Sequence, residues 1–225
     1  MTISVGSLRF VGIALSLMGP GVIAFASNRF VTRPESLEAS AIGLLAFSGL
    51  VAAVVAIALR AERLSWSQVG FGQMSWATPL RAAALTLFFV FVFGPLATLA
   101  LEKTGLQSFD VARSQFVGLP TWYLVTAIII VAAGEEWLYR GYAIERLETV
   151  IGNAWIAGGI SLALFALAHL PLWGVGVALT TLVSGSIFTV LYIRYRDVSF
   201  LILAHVLTDL YGLVIAPIVA RAPGA

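Results

Sequence analysis

Long apolar runs, interrupted by short charged and Pro/Gly-rich breaks, dominate this chain. Seven such runs stand near 10–27, 40–59, 79–101, 120–140, 154–171, 173–193 and 198–220. Most approach the roughly 20 residues that a helix needs to cross about 30 Å of hydrocarbon. The alternation and regular turn signals of an outer-membrane barrel are missing. The pattern therefore predicts an all-α, polytopic transmembrane bundle of about seven spans, with room for an eighth. One integral membrane domain covers 1–225, and its motif-bearing core lies at about 120–222.

Composition agrees. Mean hydropathy is +0.99, with 60% hydrophobic and 11% charged residues, whereas about a quarter of a soluble domain is charged. A water-soluble globule is excluded. There is no cysteine, which removes disulfides, thiolate metal sites and cysteine nucleophiles together. A formal net charge of +2 gives no nucleic-acid footprint.

The first run, with Arg9, Pro20-Gly21 and Ala24-Phe25-Ala26, also fits a cleavable signal peptide. An uncleaved first span is the preferred reading. The link from Arg60 to Thr78 carries Trp66, Phe71 and Trp76 and reads as a loop with tryptophans at the membrane interface. Residues 102–118, with Glu102, Lys103, Asp110 and Arg113, form a second polar link that suits a short surface helix. With the N-terminus inside, that side receives Arg9, Arg60, Arg63, Arg81, Arg146, Arg194 and Arg196, and the other Arg29, Arg33, Lys103, Arg113 and Arg221. Seven against five favours N-terminus inside.

Charges at span ends need no special account; those within apolar sequence do. They are Glu135, Glu136 and Arg140 in VAAGEEWLYRGY, His169 in LALFALAHLP, and His205 with Asp209 in LILAHVLTDLYG. His169 and His205 are the chain's two histidines. Ionisable groups at membrane depth are costly and normally face a bundle interior or a wet cavity. At about 100° per residue, Glu136 and Arg140 share a helix face as an i, i+4 pair, and Glu135 points elsewhere. Arg140 is thus the natural partner of Glu136, and Glu135 is left available for chemistry. His205 and Asp209 share a face in the same way. Position 152 lies midway between 135 and 169, so a hairpin turning there brings Glu135 and His169 to one height. His205 follows Asp197 by 8 residues, about 12 Å of helical rise. The three segments can converge.

The same residues could instead form structural ion pairs, or hold a metal. The HExxH zinc signature and CxxC pairs are absent. Ser184 and Ser186 in LVSGSIF read as helix-packing contacts rather than as a serine nucleophile.

Glu135-Glu136-x-x-x-Arg140, Phe165-x-x-x-His169 and His205-x-x-x-Asp209, in that order in a membrane protein, resemble the three motifs of the CAAX-protease and bacteriocin-processing family of intramembrane endopeptidases. The resemblance covers about 134–209. It implies a helical bundle with a polar cavity open to the cytosol that cuts peptide bonds of membrane-associated peptides or protein tails. It implies that Glu135 and His169 activate water, that His205 and Asp209 support the oxyanion, and that Glu136 and Arg140 are positioning residues. No cofactor is required on this reading. Zinc is the open alternative, with Glu135, His169, His205 and Asp209 as its ligands. An ionised Asp209 would repel an oxyanion, so its expected task is to orient His205. The expected setting is a bilayer, read as a bacterial or archaeal cytoplasmic membrane. A competing reading with the same residues is a non-catalytic immunity or scaffold protein, or a small proton-coupled transporter. Oligomeric state is not encoded in any visible feature.

Overall fold

The computed structural model describes residues 5–30, 36–106, 109–114, 116 and 118–220, and every regular element among them is helical. They are α1 (Val5–Phe30), α2 (Leu37–Ala61), α3 (Ala77–Thr104), the short α4 (Phe109–Ser114) and α5 (Thr121–Ile151). A helical stretch, Ala154–Tyr195, and α8 (Ser199–Val219) complete the chain.

Six continuous helices are long and apolar enough to cross a membrane, one fewer than the runs in the sequence. The difference lies in Ala154–Tyr195, whose 42 residues would reach roughly 63 Å if straight, twice the hydrocarbon core. Gly174, at φ 75° and ψ −178°, breaks it into α6 (154–173) and α7 (175–195). A Cβ placed on Gly158 would lie 2.8 Å from Ile193 and 2.9 Å from Thr189, and one on Gly185 would lie 2.9 Å from Leu162. Positions equidistant from 174 therefore face each other, as in an antiparallel hairpin. Small residues let its two arms approach closely. Seven spanning segments result.

Local chemistry sets the turns. Ser36 caps α2 by accepting a bond from the Ala39 amide at 3.2 Å. Gly152, at φ 77°, closes α5, and Asn153 caps α6 by accepting from the Trp155 and Ile156 amides at 2.9 and 3.1 Å. This is the stop and turn the sequence placed at 152, and α5 runs on past Arg140 to Ile151, as a helix ending at that stop requires.

One end of the bundle carries Arg9, Arg60, Arg63, Arg81, Arg146, Arg194 and Arg196 and is called the basic end. Arg29, Lys103 and Arg113 lie toward the other; Arg33, Arg221 and the Asp110 side chain lie outside the described residues. Three arginines of the basic end pair with carboxylates. Glu62 meets Arg9 at 3.3 Å and Arg146 at 3.8 Å, and Arg196 meets Glu145 at 2.8 Å and Glu148 at 2.6 Å. The link after α2 is more than an interfacial loop. Trp66 and Trp76 are exposed, but Val69 is fully buried, and the Gly70 carbonyl accepts the Val198 amide at 2.7 Å. The loop tucks in because residues 70 and 72 have no side chain: a Cβ there would collide with Gly141 and Asp197.

α1 packs one face against the bundle and leaves Phe10, Met18, Val22 and Phe25 exposed. Its Leu17 carbonyl accepts the Tyr139 hydroxyl at 3.3 Å, and Ile13 and Leu17 join Phe47, Val54, Leu138 and Phe165 in one apolar core. A second core joins α3, α7 and α8 through Leu85, Phe89, Phe188, Phe200 and Leu201. The polar residues singled out above lie between the two.

Candidate active site

α5 carries Glu135, Glu136 and Arg140, α6 carries Phe165 and His169, and α8 carries His205 and Asp209. The α5–α6 hairpin holds its register through the Ser161 hydroxyl, which donates to the Tyr139 carbonyl at 2.7 Å, and through the Tyr139 ring against Phe165 at 4.9 Å. Residues 135 and 169 are thereby set at one height.

Glu136 is the hub. It is 1% exposed, and its Oε1 accepts from Arg140 Nη1 at 3.0 Å and from His205 Nδ1 at 3.0 Å. The i, i+4 pair read from the sequence is present, and a third helix joins it. Arg140, also 1% exposed, donates through Nη2 to the Gly185 carbonyl at 3.3 Å, and its guanidinium lies 4.2 Å from the Phe165 ring centroid and 5.8 Å from that of Phe188. A buried guanidinium keeps its charge, so these carbonyl and ring contacts replace the water it has lost.

The histidines sit differently. His169 Nδ1 donates to the Phe165 carbonyl of its own helix at 2.8 Å. That bond fixes the tautomer and leaves the Nε2 lone pair as a proton acceptor. His205 donates from Nδ1 to Glu136, and its Nε2 lies 3.5 Å from Asp209 Oδ2. Asp209 was expected to orient His205; Glu136 makes the shorter contact. Among the described residues the Glu135 carboxylate makes no hydrogen bond or ion pair, and none joins it to His169.

Glu135, Glu136, Arg140, His169, His205 and Asp209 nevertheless line one cavity of about 850 Å³. Its remaining walls come mostly from apolar and aromatic side chains, among them Phe47, Phe89, Phe93 and Tyr123. Among the described residues Glu136 Oε2 and the Thr208 hydroxyl are buried without a hydrogen-bond partner, and both residues line this cavity. Unpaired buried oxygens of this kind call for water or a substrate donor. From Arg140 and His205 the cavity runs away from the basic end, to Asn28, Ser40, Arg113 and Trp173. Among the described residues no three His, Asp or Glu side chains are arranged to hold a metal ion.

The family described as type II CAAX prenyl endopeptidase Rce1-like matches residues 117–211, a little under half of the chain. Over that segment the chain is similar to this Rce1-like family. No curated protein and no solved structure matches it. The Rce1-like segment contains all three motifs and leaves α1 to α3 outside, although those helices supply much of the cavity wall. The family is one of proteases, and the apolar bundle makes the chain an integral, multi-pass membrane protein.

Three parts of the site escaped the sequence reading. The Glu136–His205 contact joins residues 69 apart, a separation on which helical periodicity is silent. Gly185 was passed over between Ser184 and Ser186, which are back-bonded to Thr181 and Val183. A glycine flanked by small residues was the available signal, since a Cβ there would lie 3.0 Å from Arg140 Nη2. The third is Phe188, whose ring faces both Arg140 and His205.

Proposed function

We propose that this chain is an intramembrane endopeptidase that hydrolyses peptide bonds of membrane-associated peptides or protein tails. The supporting observation is that acidic and imidazole groups from α5, α6 and α8 line one cavity whose other walls are largely apolar. Glu135, whose carboxylate makes no hydrogen bond among the described residues, takes a proton from water, with the His169 Nε2 lone pair facing the same space as second acceptor. The resulting hydroxide adds to the scissile carbonyl. An N–H at His205 Nε2 meets the oxyanion, while Glu136, itself held by Arg140, fixes the ring through Nδ1. Collapse of the tetrahedral species breaks the C–N bond, and the amine leaves with the proton first taken from water. General-base catalysis contributes about 10²–10⁴ in rate, and an oxyanion donor about 10²–10³. Amide hydrolysis needs both.

Geometry sets the two expectations for orientation against each other. The cavity runs to the end opposite the basic end, so N-terminus inside would open it to the outside. The peptidase reading places the cavity mouth on the cytosolic side and the basic end outside. Cysteine-scanning accessibility, clean in a chain without native cysteine, decides this: Arg113→Cys is expected to react with a membrane-impermeant reagent applied from the cytosolic face.

The direct test incubates the purified chain in nanodiscs with a library of membrane-anchored peptides and reads new termini by mass spectrometry. Defined cleavage that falls about 10²–10⁴-fold in Glu135→Gln supports the proposal. Cleavage at the wild-type rate by Glu135→Gln contradicts it, as would Glu135-dependent ion flux without any cleavage.

A further inference from the structure

The basic end holds a second buried polar cluster, and it touches the site helix at an unusual place. Between Glu136 and Glu145, α5 is π-helical over the eight residues Trp137–Ile144. Each of its turns closes with i→i+5 bonds and takes one residue more than the α-helical pattern; such stretches are rare beyond a single turn and recur at functional sites. All eight residues are buried. Losing one inserted residue would rotate Glu136 by about 100° relative to the helix below it and take it away from His205. Something must hold this stretch in register.

The basic end supplies that hold. The Tyr142 hydroxyl donates to Glu62 Oε1 at 2.6 Å, and Glu62 Oε2 receives Arg9 at 3.3 Å, with Arg146 at 3.8 Å. Arg146 also donates to the Gln68 carbonyl at 3.3 Å. One turn higher the contact is backbone to backbone. A Cβ on Gly141 would lie 2.6 Å from the Val69 carbonyl oxygen, and one on Gly70 would lie 2.6 Å from Gly141 Cα. The loop is itself anchored to the start of α8 by the Val198–Gly70 bond, so α8, which carries His205, and the π-helical stretch share one brace.

We propose that Glu62 and Tyr142, with the Gly70–Gly141 contact, set the register of the π-helical stretch and thereby hold Glu136 against His205. They are positioning residues for the reaction proposed above, on which their catalytic consequence rests. Neither lines the cavity.

The test uses the full chain in nanodiscs with ¹⁵N-labelled histidine, which gives signals from only two imidazoles. In Tyr142→Phe and in Glu62→Ala, the His205 Nδ1–H resonance is expected to shift or broaden while that of His169 stays in place. In the same variants kcat is expected to fall about tenfold with KM within twofold. Glu62→Gln keeps an acceptor for the Tyr142 hydroxyl and is expected to recover most of the His205 signal and of kcat. An unchanged His205 resonance in both Tyr142→Phe and Glu62→Ala overturns the proposal, as does an equal disturbance of both histidines. If the wild type cleaves nothing, the peptidase reading fails, and the resonance still decides whether the brace exists.

Discussion

The two charge clusters combine arginines and carboxylates in different proportions. At the basic end three arginines, Arg9, Arg146 and Arg196, meet three glutamates, Glu62, Glu145 and Glu148. Hydrogen bonding to Glu148, against the effect of burial and with help from Glu145, holds the Arg196 guanidinium above its ordinary pKa. Around the motif residues Arg140 stands with three carboxylates, Glu135, Glu136 and Asp209, and two imidazoles, while Arg113 lines the far part of the same cavity. A balanced cluster needs nothing further and serves as a clamp. The other leaves the Glu135 carboxylate with no hydrogen bond or ion pair among the described residues, in a space large enough for water and peptide. Surplus acid at membrane depth is costly, and here it lies where a proton-transfer site is expected.

Removing charge from each cluster should therefore have unequal effects. Glu136→Gln leaves Arg140 buried beside a neutral amide and frees His205. Breaking a buried pair costs about 3–5 kcal/mol, so this variant should show the largest drop in thermal stability together with loss of cleavage. Stability kept at the wild-type level would mean that the pair is solvated. Gly185→Ala comes next. Its Cβ would press on Arg140 Nη2 at 3.0 Å and on Leu162 at 2.9 Å, and overpacking of this kind costs about 1–3 kcal/mol. Both melting temperature and kcat should fall, since the Arg140 guanidinium must shift.

Asp209→Asn is expected to be milder. Asparagine can still donate or accept at His205 Nε2, and Glu136 holds the ring from the other side, so cleavage should stay within about tenfold of wild type. Complete loss would make the Asp209 charge essential. Arg196→Met should matter least. With its side chain 39% exposed, its ion pairs are screened and contribute under about 1 kcal/mol, and the cavity is far from it along α5. A large fall in activity here would show that the two clusters are not separable.

The sequence made some of this contrast legible. Apolar runs located all seven segments, including the separate stretches 154–171 and 173–193 that the Gly174 break divides. The i, i+4 rule found Glu136 with Arg140, because both lie on one helix and obey one period. The equidistance of 135 and 169 from the Gly152 turn placed α5 against α6. What stayed hidden depends on contacts between distant helices. No period links Glu136 to His205 or Tyr142 to Glu62, and a π-helical insertion leaves no mark on an apolar segment. The direction of the cavity was equally hidden, because its walls use the same phenylalanines and leucines that elsewhere face lipid.

The central claim is that Glu135, His169 and His205, from three segments, act as one unit in one cavity. Residues that act as a unit are strongly non-additive in catalysis. The most direct measurement is kcat for cleavage by Glu135→Gln, by His205→Gln and by the double variant, in nanodiscs at matched thermal stability. The account predicts that the double variant is within about tenfold of the worse single variant. Losses that multiply, or single variants that cleave like the wild type, would contradict it.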